Sequence, residues 1–409
     1  MSEQSAAPSR ERYSRKRDSI VSAATGILNR RGVKGMTLAD VAQSVGLNTT
    51  SVTYYFKKKE DLAVACFLRA IERLDAMANE ALRLPDPEDR LHAFVAGYFG
   101  LNRSIRTGQE APLAVFNDVR ALKEPHHAIV VETYNDLFRK VRSIFAAPGY
   151  EWLARKAATA RTHMLMEQVF WSGGWLPRYD VEDYPRVTAR FFDVLANGIS
   201  MRAAPWSPES IADGALGRSS NEEFLLAATR LINQRGYRGA SVEKIAAQLN
   251  VTKGSFYHHN EAKDELVVAC FERSFDIMKR GQSCALKLAG SQWDKLVSAT
   301  VALTDFQVSA HGPLLRASAI SALPEPIGQD MLARWNRVSD RFAAMISDGI
   351  AEGSIRAVDP VIAAHMLNAS LNAAASALTA VRGAEPGEIA ELYAKPMLMG
   401  LFARWGDVE

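Results

Sequence analysis

The chain has 409 residues, with 49 lysines and arginines against 46 aspartates and glutamates and a formal net charge of +3. Hydrophobic residues make up 48% and charged residues 23%, which is ordinary for globular domains and excludes both a disordered chain and a general polycation. No apolar run reaches the roughly 18 residues that a membrane-spanning helix needs, and the first twenty residues lack a secretion signal, so we expect a cytoplasmic protein.

A basic segment lies near the start of the chain. Residues 9–17 hold five basic side chains and one acid. Such a cluster suits the phosphate backbone of a nucleic acid, although a solvated tail could have the same composition. The segment therefore points to nucleic acid only if the residues after it do so too.

A compact pattern of short helices follows this segment. The first predicted helix stops at Arg31-Gly32, where glycine can adopt the left-handed conformation. Thr37 stands at the N-cap of a short helix, and Gly46-Leu47-Asn48 forms a turn before another. A long helix begins near Lys59. This order of helix, short helix, turn and short helix predicts a helix-turn-helix.

The pattern occurs twice. Residues 23–67 align without a gap on residues 227–271 at a constant offset of 204, with identities that include Asn29/Asn233. A period of this length indicates a duplicated domain rather than a solenoid unit. Nearly all remaining periodicity is helical, so the predicted fold class is all-α with two tandem halves.

Each half is predicted to contain a helix-turn-helix domain followed by a helical effector and dimerisation domain. The predicted boundaries are 14–74 and 75–204 for the first half, 205–217 for a linker, and 218–278 and 279–409 for the second half. Further helices are predicted near 62–82, 88–107, 126–146, 151–172 and 185–201, and near 263–288, 292–310, 329–352, 360–381 and 388–405. Pro396 is expected to kink the last of these.

The second short helix of each motif is the candidate reader of DNA, because an α-helix fits the major groove and hydroxyls bond phosphates or base edges. In the first half the candidates are Thr37, Asn48, Thr49, Thr50, Ser51, Thr53, Tyr54, Tyr55, Lys57 and Lys59. In the second half they are Ser241, Thr252, Lys253, Gly254, Ser255, Tyr257, His258, His259 and Lys263. Lysines at the start of a helix oppose its dipole, which is favourable when an anion binds there.

These residues resemble the DNA-binding signature of the TetR family of bacterial transcriptional repressors. The signature has two spaced glycines, a hydroxyl, a turn and an aromatic-rich run before Lys-acid-acid-Leu, and here spans Gly32–Leu62 and Gly236–Leu266. The resemblance implies a double-stranded DNA operator, a small-molecule effector and typically homodimeric assembly. The second copy departs from the pattern, because Asn260 replaces the usual phenylalanine.

The effector domains are less specific in sequence. Aromatic, histidine and methionine residues at helical spacing suggest an apolar or aromatic effector, although a plain core explains them equally well. The candidates are Phe94, Tyr98, Tyr134, Phe138, His163, Met166, Trp171, Trp293, Phe306, His311, Trp335 and His365. The pair His126-His127 and the single His365 could suggest a metal, but no carboxylate or cysteine at ligand spacing is found for them, so neither a metal nor another cofactor is expected.

The preferred interpretation is a ligand-released repressor in which one chain acts as a pseudo-dimer on an asymmetric operator. The last two helices of each half would then form an internal four-helix interface. A homodimer of chains is the alternative assembly. The alternative function is a helical regulatory protein whose second DNA-binding unit is degenerate, so that binding needs two chains through their first units. An enzyme is not expected, because nucleophile-elbow, Walker, dinucleotide and zinc-protease motifs are missing.

Overall fold

The computed structural model describes residues 7–202, 204–211, 216, 222–240 and 263–404. In these ranges the regular structure is helical, apart from one isolated antiparallel bridge between Ser200 and Ile355. The predicted all-α fold class is therefore confirmed. Within the described ranges no helix has the length and apolar character that crossing a membrane requires.

The first half contains eight described α-helices in its 7–202 range. They are α1 (Ala7–Gly35), α2 (Leu38–Ser44), α3 (Thr49–Tyr55), α4 (Lys59–Ala81), α5 (Pro87–Arg106), α6 (His126–Arg142), α7 (Arg155–Trp175) and α8 (Tyr184–Asn197). A 3-10 helix at Phe116–Ala121, which the sequence did not predict, lies between α5 and α6.

The second half repeats this order in its described part. Its helices are α9 (Glu222–Gly239), α10 (Lys263–Ala285), α11 (Gln292–Val308), α12 (Glu325–Glu352), α13 (Pro360–Ala374), α14 (Ala377–Ala380) and α15 (Lys395–Met399). A 3-10 helix at Ala317–Ala322 corresponds to the one in the first half.

Glycine breaks the first helix of each half as predicted. Gly32 has φ 69° and Gly236 has φ 71°, so helical geometry is interrupted at both Arg-Gly pairs.

The predicted helices near 360–381 and 388–405 are wrong in extent. α13 ends at Ala374, and a π-helical turn at Ala390–Ala394 comes directly before α15. This turn lies just before Pro396, whose ring is incompatible with regular helical bonding to the preceding turn.

The chain divides into two compact units. One comprises Met1–Asn79 with Arg103–Lys140, and the other comprises Glu80–Asn102 with Val141–Glu409. The first unit contains the first helix-turn-helix, whereas the second contains α9 and α10 together with most of both helical domains. The predicted domain boundaries follow the repeat rather than these units and stay predictions.

One side-chain clamp recurs in both halves. The amide of Asn29 donates to the Leu113 carbonyl at 2.9 Å and accepts from the Val115 N–H at 3.0 Å. Asn233 makes the same pair of bonds, at 2.8 and 3.0 Å, with the segment that ends at Arg316. Each clamp fastens the first helix of its half to the segment before the 3-10 helix. The recurrence of asparagine in the aligned repeat was the sequence signal for this clamp.

Helices α7 and α8 of the first half pack against α13 and α15 of the second half. At the centre of this contact Gln168 Nε2 donates to Ser370 Oγ at 3.0 Å, across a separation of 202 residues. Gly198 and Gly400, which have the same separation, end α8 and α15. A Cβ on Gly198 would lie 2.4 Å from the Gly400 nitrogen. Positions that contact their own equivalents are characteristic of a two-fold relation.

Candidate nucleic-acid interface

Local capping builds the first helix-turn-helix. Thr37 Oγ1 accepts from the Asp40 N–H at 3.1 Å and caps α2. Gly46 has φ 65° in the turn, and Asn48 Oδ1 then accepts from the Ser51 N–H at 2.7 Å to cap α3. The layout predicted for the first copy is therefore confirmed in its caps and in its turn.

Helix α3 buries one side chain and leaves the others exposed or half-buried. Val52 is fully buried and anchors the helix to its unit. The Thr53 hydroxyl donates to the Thr49 carbonyl at 2.9 Å, so this donor is already used within the helix. The remaining predicted reader side chains are exposed or half-buried, and they are Thr49, Thr50, Ser51, Tyr54 and Tyr55. This hydroxyl-rich face has the hydrogen-bonding groups that contact phosphates and base edges.

A tyrosine cluster joins the basic segment to α3. The Tyr13 ring lies 4.7 Å from the Tyr55 ring and 6.1 Å from the Tyr54 ring. Tyr54 is 68% exposed, and the Arg17 guanidinium lies over the Phe56 ring at 5.3 Å. The basic start of α1 is thereby held beside the reader helix. Sequence reasoning noted the basic residues here but did not assign Tyr13 a role.

The lysines at the start of α4 have unequal roles. Lys59 Nζ donates to the Lys34 carbonyl at 2.9 Å, which ties α4 to the end of α1. Lys57 and Lys58 are exposed, and the Lys58 N–H is capped by the Asp61 carboxylate at 3.0 Å. We therefore expect phosphate contacts from the exposed Lys57 and Lys58 and a positioning role for Lys59, and this assignment stays a prediction.

Replacing Lys57 and Lys58 together by alanine is expected to weaken DNA binding equally for all sequences. The slope of log K against log[salt] should become shallower by about 0.9 for each phosphate that is no longer neutralised. The slope is measured by fluorescence anisotropy of a labelled operator duplex between low and high KCl. Lys59→Ala serves as the control and should leave the slope closer to that of the unmodified chain. An unchanged slope in the double variant would contradict the assignment.

The helices that hold α2 and α3 are also fastened to the segment after α5. Asp118 accepts from the Val33 N–H at 2.5 Å, where α1 ends. His126 Nε2 lies 2.8 Å from Asp61 Oδ1, where α4 begins. This hydrogen bond is the main reason that the pKa of Asp61 is lowered. The first reader and residues 103–140 consequently form one compact unit.

The second copy is described in part. Its predicted contacts Ser241, Thr252, Lys253, Gly254, Ser255, Tyr257, His258 and His259 lie outside the described residues. Lys263 lies over the Tyr237 ring at 4.3 Å, and the Tyr237 hydroxyl donates to the Asp264 carboxylate. Burial and this carboxylate raise the pKa of Tyr237. Lys263, like Lys59, therefore contacts the end of the first helix of its own motif.

Comparison with known proteins decides the family. The family described as "Bacterial regulatory proteins, tetR family" matches residues 20–66 and matches again at residues 224–270. The chain belongs to the TetR family. It is a tandem form with two TetR-like units, and like its relatives it is a DNA-binding transcriptional regulator.

Each of the following three matches spans less than half of this TetR-family chain. The transposon Tn10 TetC protein of Escherichia coli is 24% identical over 153 residues, which are 37% of this chain and 76% of that protein. The transcriptional repressor DhaR of Mycobacterium sp. (strain GP1) is 27% identical over 161 residues, 39% of this chain and 81% of that protein. The solved structure of the TetR family regulator PfmR from Thermus thermophilus is 18% identical, covers 43% of this chain and 95% of that chain, and has a TM-score of 0.33.

Many of the predicted effector residues form ordinary core or surface contacts. Buried core residues among them are Phe94, Met166, Trp293 and Phe306. The Tyr134 ring lies 5.4 Å from the Phe116 ring in a tilted arrangement, and Phe138, four residues further on, is half-buried. Burial raises the pKa of Tyr98 to about 12. The His311 carbonyl accepts from Arg273. The remaining candidates, His163, Trp171, Trp335 and His365, lie on α7, α12 and α13.

A largely but not fully buried ion pair connects the two halves beside these candidates. Glu167 of α7 pairs with Arg316, and their side chains are 19% and 16% exposed. Asn372 Nδ2 donates to Glu167 at 3.4 Å, and Asn372 Oδ1 accepts from the Ala317 N–H at 2.9 Å. Burial alone would raise the pKa of Glu167, but the charge of Arg316, together with the smaller contributions of His163 and of the hydrogen bonds from Arg316 and Asn372, outweighs it and the pKa is lowered. Sequence reasoning missed this pair, because its partners are 149 residues apart.

His163 and His365 occupy equivalent positions, 202 residues apart. His163 Nδ1 lies 2.8 Å from the Tyr393 hydroxyl. His365 stacks on Trp175 at 5.5 Å between ring centroids, and Arg178 donates to its Nε2 at 3.1 Å. Burial lowers the pKa of both histidines to about 4. Both rings are therefore neutral at neutral pH.

The stability of the chain is expected to fall as the pH is lowered from 7 to 5. Unfolded histidines bind a proton near pH 6.5, whereas these folded histidines do so only near 4, so the unfolded state binds more protons in between. Each histidine lowers the free energy of unfolding by up to about 1.4 kcal/mol for each pH unit in this range. Urea unfolding at several pH values measures the slope. His163→Gln with His365→Gln should flatten it, and an equal slope in this double variant would refute the expectation.

Proposed function

We propose that the chain is a ligand-released repressor that binds one asymmetric operator as a pseudo-dimer of its own two halves. The observation that carries this proposal is the contact of equivalent positions within one polypeptide. Gln168 contacts Ser370, and Gly198 abuts Gly400, both at a separation of 202 residues. The two readers are repeats of each other in sequence, and the two halves to which they belong pack through equivalent positions.

The internal contact favours one chain over two as the unit of binding. In a homodimer, a self-complementary surface on each subunit pairs with the same surface on its partner. Here α7 and α8 already pack on α13 and α15 of the same chain. The helices that would pair two chains are therefore covered, and one chain brings two readers to the DNA.

The operator is expected to be asymmetric because the readers differ in chemistry. The first reader carries Thr49, Thr50 and Tyr54, whereas the corresponding part of the second carries Lys253, Gly254 and His258. Side chains with different donors and acceptors select different base edges in the major groove. Two unlike half-sites follow from two unlike helices.

The proposal also includes repression of transcription and release from the operator when a small molecule binds. A ligand that binds one arrangement of the helical domains better than another shifts the population of reader arrangements, and with it the affinity for the operator. Similarity to DhaR, which is named as a repressor, supports repression. Similarity to FasR of Mycolicibacterium smegmatis, which is named as an activator, makes the sign of regulation part of the test.

One chain is expected to protect two unlike half-sites on one operator. The operator is selected from a random DNA pool, and light scattering of the purified complex then gives the number of chains per duplex. Footprinting gives the protected half-sites, which should lie about a whole number of helical turns apart. Two chains on a perfect palindrome would contradict the pseudo-dimer.

The second candidate is a regulator that binds DNA through the first unit only. Asn260 at the family's phenylalanine position and the acidic residues Glu261, Asp264 and Glu265 favour it. Lys253→Ala separates the two candidates. The pseudo-dimer requires this substitution to weaken binding, whereas a degenerate second unit predicts unchanged affinity and two chains per operator.

A further inference from the structure

Ion pairs join the first half to the second half at several points of their contact. Glu167 pairs with Arg316, and their side chains are 19% and 16% exposed. Three further pairs across this contact each have one partner that is 41–45% exposed, and they are Arg190–Asp359 at 2.5 Å, Asp193–Arg356 at 2.8 Å and Lys156–Glu388 at 2.9 Å. In these pairs the first half supplies both anions and cations, and the second half supplies the opposite charge at each point.

The two-fold relation of the halves gives each of these side chains an equivalent in the other half. In the contacting helices the separation is 202 residues, and Gly198 abuts its own equivalent, Gly400. The equivalent of Arg316 is Val115, because the N–H of each donates to the asparagine of the recurrent clamp. A symmetric interface contains every contact twice, once in each direction. The residues at the equivalent positions therefore show whether the charges of this interface are symmetric.

The charges of the interface are not symmetric. The equivalents of Glu167, Arg190, Asp193 and Glu388 are Ala369, Leu392, Lys395 and Arg186, all of which lie in the described chain. Two of these equivalents are apolar and two carry the opposite charge, so none of the ion pairs named above recurs in the other direction. The halves thus pack through equivalent positions but carry different charges there.

Two first halves that met through this surface would lack the counter-ions of the second half. Glu167 would be largely buried without an opposite charge, because Val115 replaces Arg316 at the equivalent position. Lys156 would face the cation Arg186 where it now faces a carboxylate. An unpaired buried charge and two like charges are both unfavourable, so the surface of a first half does not fit its own copy.

Two second halves are mismatched in the same way. The guanidinium of Arg316 would be largely buried without a counter-ion, because Ala369 replaces Glu167. Arg356 would face Lys395 in place of a carboxylate. Only a first half and a second half together satisfy both sets of charges.

We propose that this surface selects the opposite half as its partner, so that a first half pairs with a second half and each half rejects its own copy. Like charges and unpaired buried charges are means by which an interface discriminates against a wrong partner. The inference goes beyond the proposed function, because it concerns the pairing of halves in the absence of DNA. Its consequence for DNA, that a first reader is always accompanied by a second reader, rests on that function.

Exchange of halves between two full-length variants tests the proposal. In Glu167→Arg and in Arg316→Glu the internal contact brings two like charges together, but the first half of either variant complements the second half of the other. The two chains, one of them labelled with heavy nitrogen, are unfolded together in urea, refolded and examined by native mass spectrometry. The mixed dimer should exceed the dimers of either variant alone by at least about tenfold, because only the mixed dimer restores the ion pair at both contacts. A refolded mixture without an excess of the mixed dimer would overturn the proposal.

Cross-linking identifies the halves that pair in the mixed dimer. Lys156 Nζ lies 2.9 Å from Glu388 Oε2, so a carbodiimide can join the two side chains directly. Peptides that join Lys156 of the labelled chain to Glu388 of the unlabelled chain are the expected product. Peptides that join Lys156 to the first half of the other chain would show that like halves pair, and the proposal would then be wrong.

Reversal of an ion pair within one half is the matched control. Glu272 and Arg334 pair at 2.8 Å, and both belong to the second half, so an exchange of halves moves them together. A mixture of Glu272→Arg with Arg334→Glu should therefore show no excess of the mixed dimer. An excess as large as that of the interface variants would mean that charge reversal causes exchange without any selection by the interface.

A second interface pair keeps the test independent of the folding of Glu167→Arg. Lys156 and Glu388 are 37% and 45% exposed, so reversal of either charge disturbs the fold less. A mixture of Lys156→Glu with Glu388→Lys should show an excess of the mixed dimer in the same direction, although smaller, because exposed pairs are weaker. Circular dichroism verifies that each variant is folded. An excess in neither mixture would overturn the proposal.

The measurements separate this inference from the proposed function. Mass spectrometry without DNA reports on the pairing of halves, and footprinting with the unmodified chain reports on the operator. Selective exchange together with two chains on a palindrome would support the inference and contradict the pseudo-dimer. Exchange without selection together with one chain on two unlike half-sites would overturn the inference and leave the pseudo-dimer standing.

Discussion

Replacing Glu167 by alanine is expected to lower the free energy of unfolding by about 3 kcal/mol, because the substitution leaves the largely buried charge of Arg316 unpaired. Arg316 is only 16% exposed, so water compensates its charge poorly. The substitution should also weaken DNA binding by the second motif. The Arg316 N–H donates to Asn233 of α9, which is the first helix of that motif. Urea denaturation measures the free energy, and footprinting shows whether the second half-site is lost first.

A double variant is the control for this prediction. Glu167→Leu combined with Arg316→Met removes both charges and keeps similar volumes, and it should be close to the unmodified chain in stability. Glu167→Gln tests the sign of the charge effect. The lowered pKa of Glu167 stabilises the fold above its unfolded value of 4.5, and this stabilisation disappears as the pH falls through the folded pKa. A loss below about 1 kcal/mol in Glu167→Ala would show that the pair is solvated, as surface pairs are.

The features predicted correctly from sequence are those that neighbouring residues determine. Thr37, Gly46 and Asn48 form caps and a turn with partners at most a few residues away, so residue type and spacing suffice. The break at Gly32 is predictable for the same reason, because only the backbone freedom of glycine is involved. The repeat strengthens the signal at Gly32, because Gly236 occupies the equivalent position.

The interactions that sequence reasoning missed depend on packing between distant segments. Lysine at a helix start suggests an anion and so predicts a phosphate contact for Lys59, which stays a prediction, whereas its bond to the Lys34 carbonyl has no sequence signal. Glu167 and Arg316 carry no motif, and their pairing depends on how the halves meet. The separation of equivalent positions also changes from 204 in the reader motifs to 202 at the interface, so the readers alone did not reveal which helix positions pair.

Gly198→Ala is expected to disrupt the contact between the halves and to lower the free energy of unfolding by about 2–5 kcal/mol. A Cβ at Gly198 would lie 2.4 Å from the Gly400 nitrogen and from the Leu398 carbonyl oxygen. Both are backbone atoms, so no change of side-chain rotamer can relieve the overlap. The φ of 65° adds strain for a residue with a side chain. Strain and overlap together account for this magnitude.

Gly353→Ala separates strain from overlap. Gly353 also has a positive φ, 82°, but no atom lies within 4 Å of the added Cβ. Its replacement should therefore cost only the backbone strain, about 1 kcal/mol. The decisive comparison is operator binding by the two variants, because Gly353→Ala leaves the contact between the halves intact. If the internal interface holds the two readers in register, Gly198→Ala should lose affinity for the full operator while each isolated half-site is bound as before. Full affinity in a destabilised Gly198→Ala chain would mean that the readers act independently, and a pseudo-dimer that depends on this contact would then be untenable.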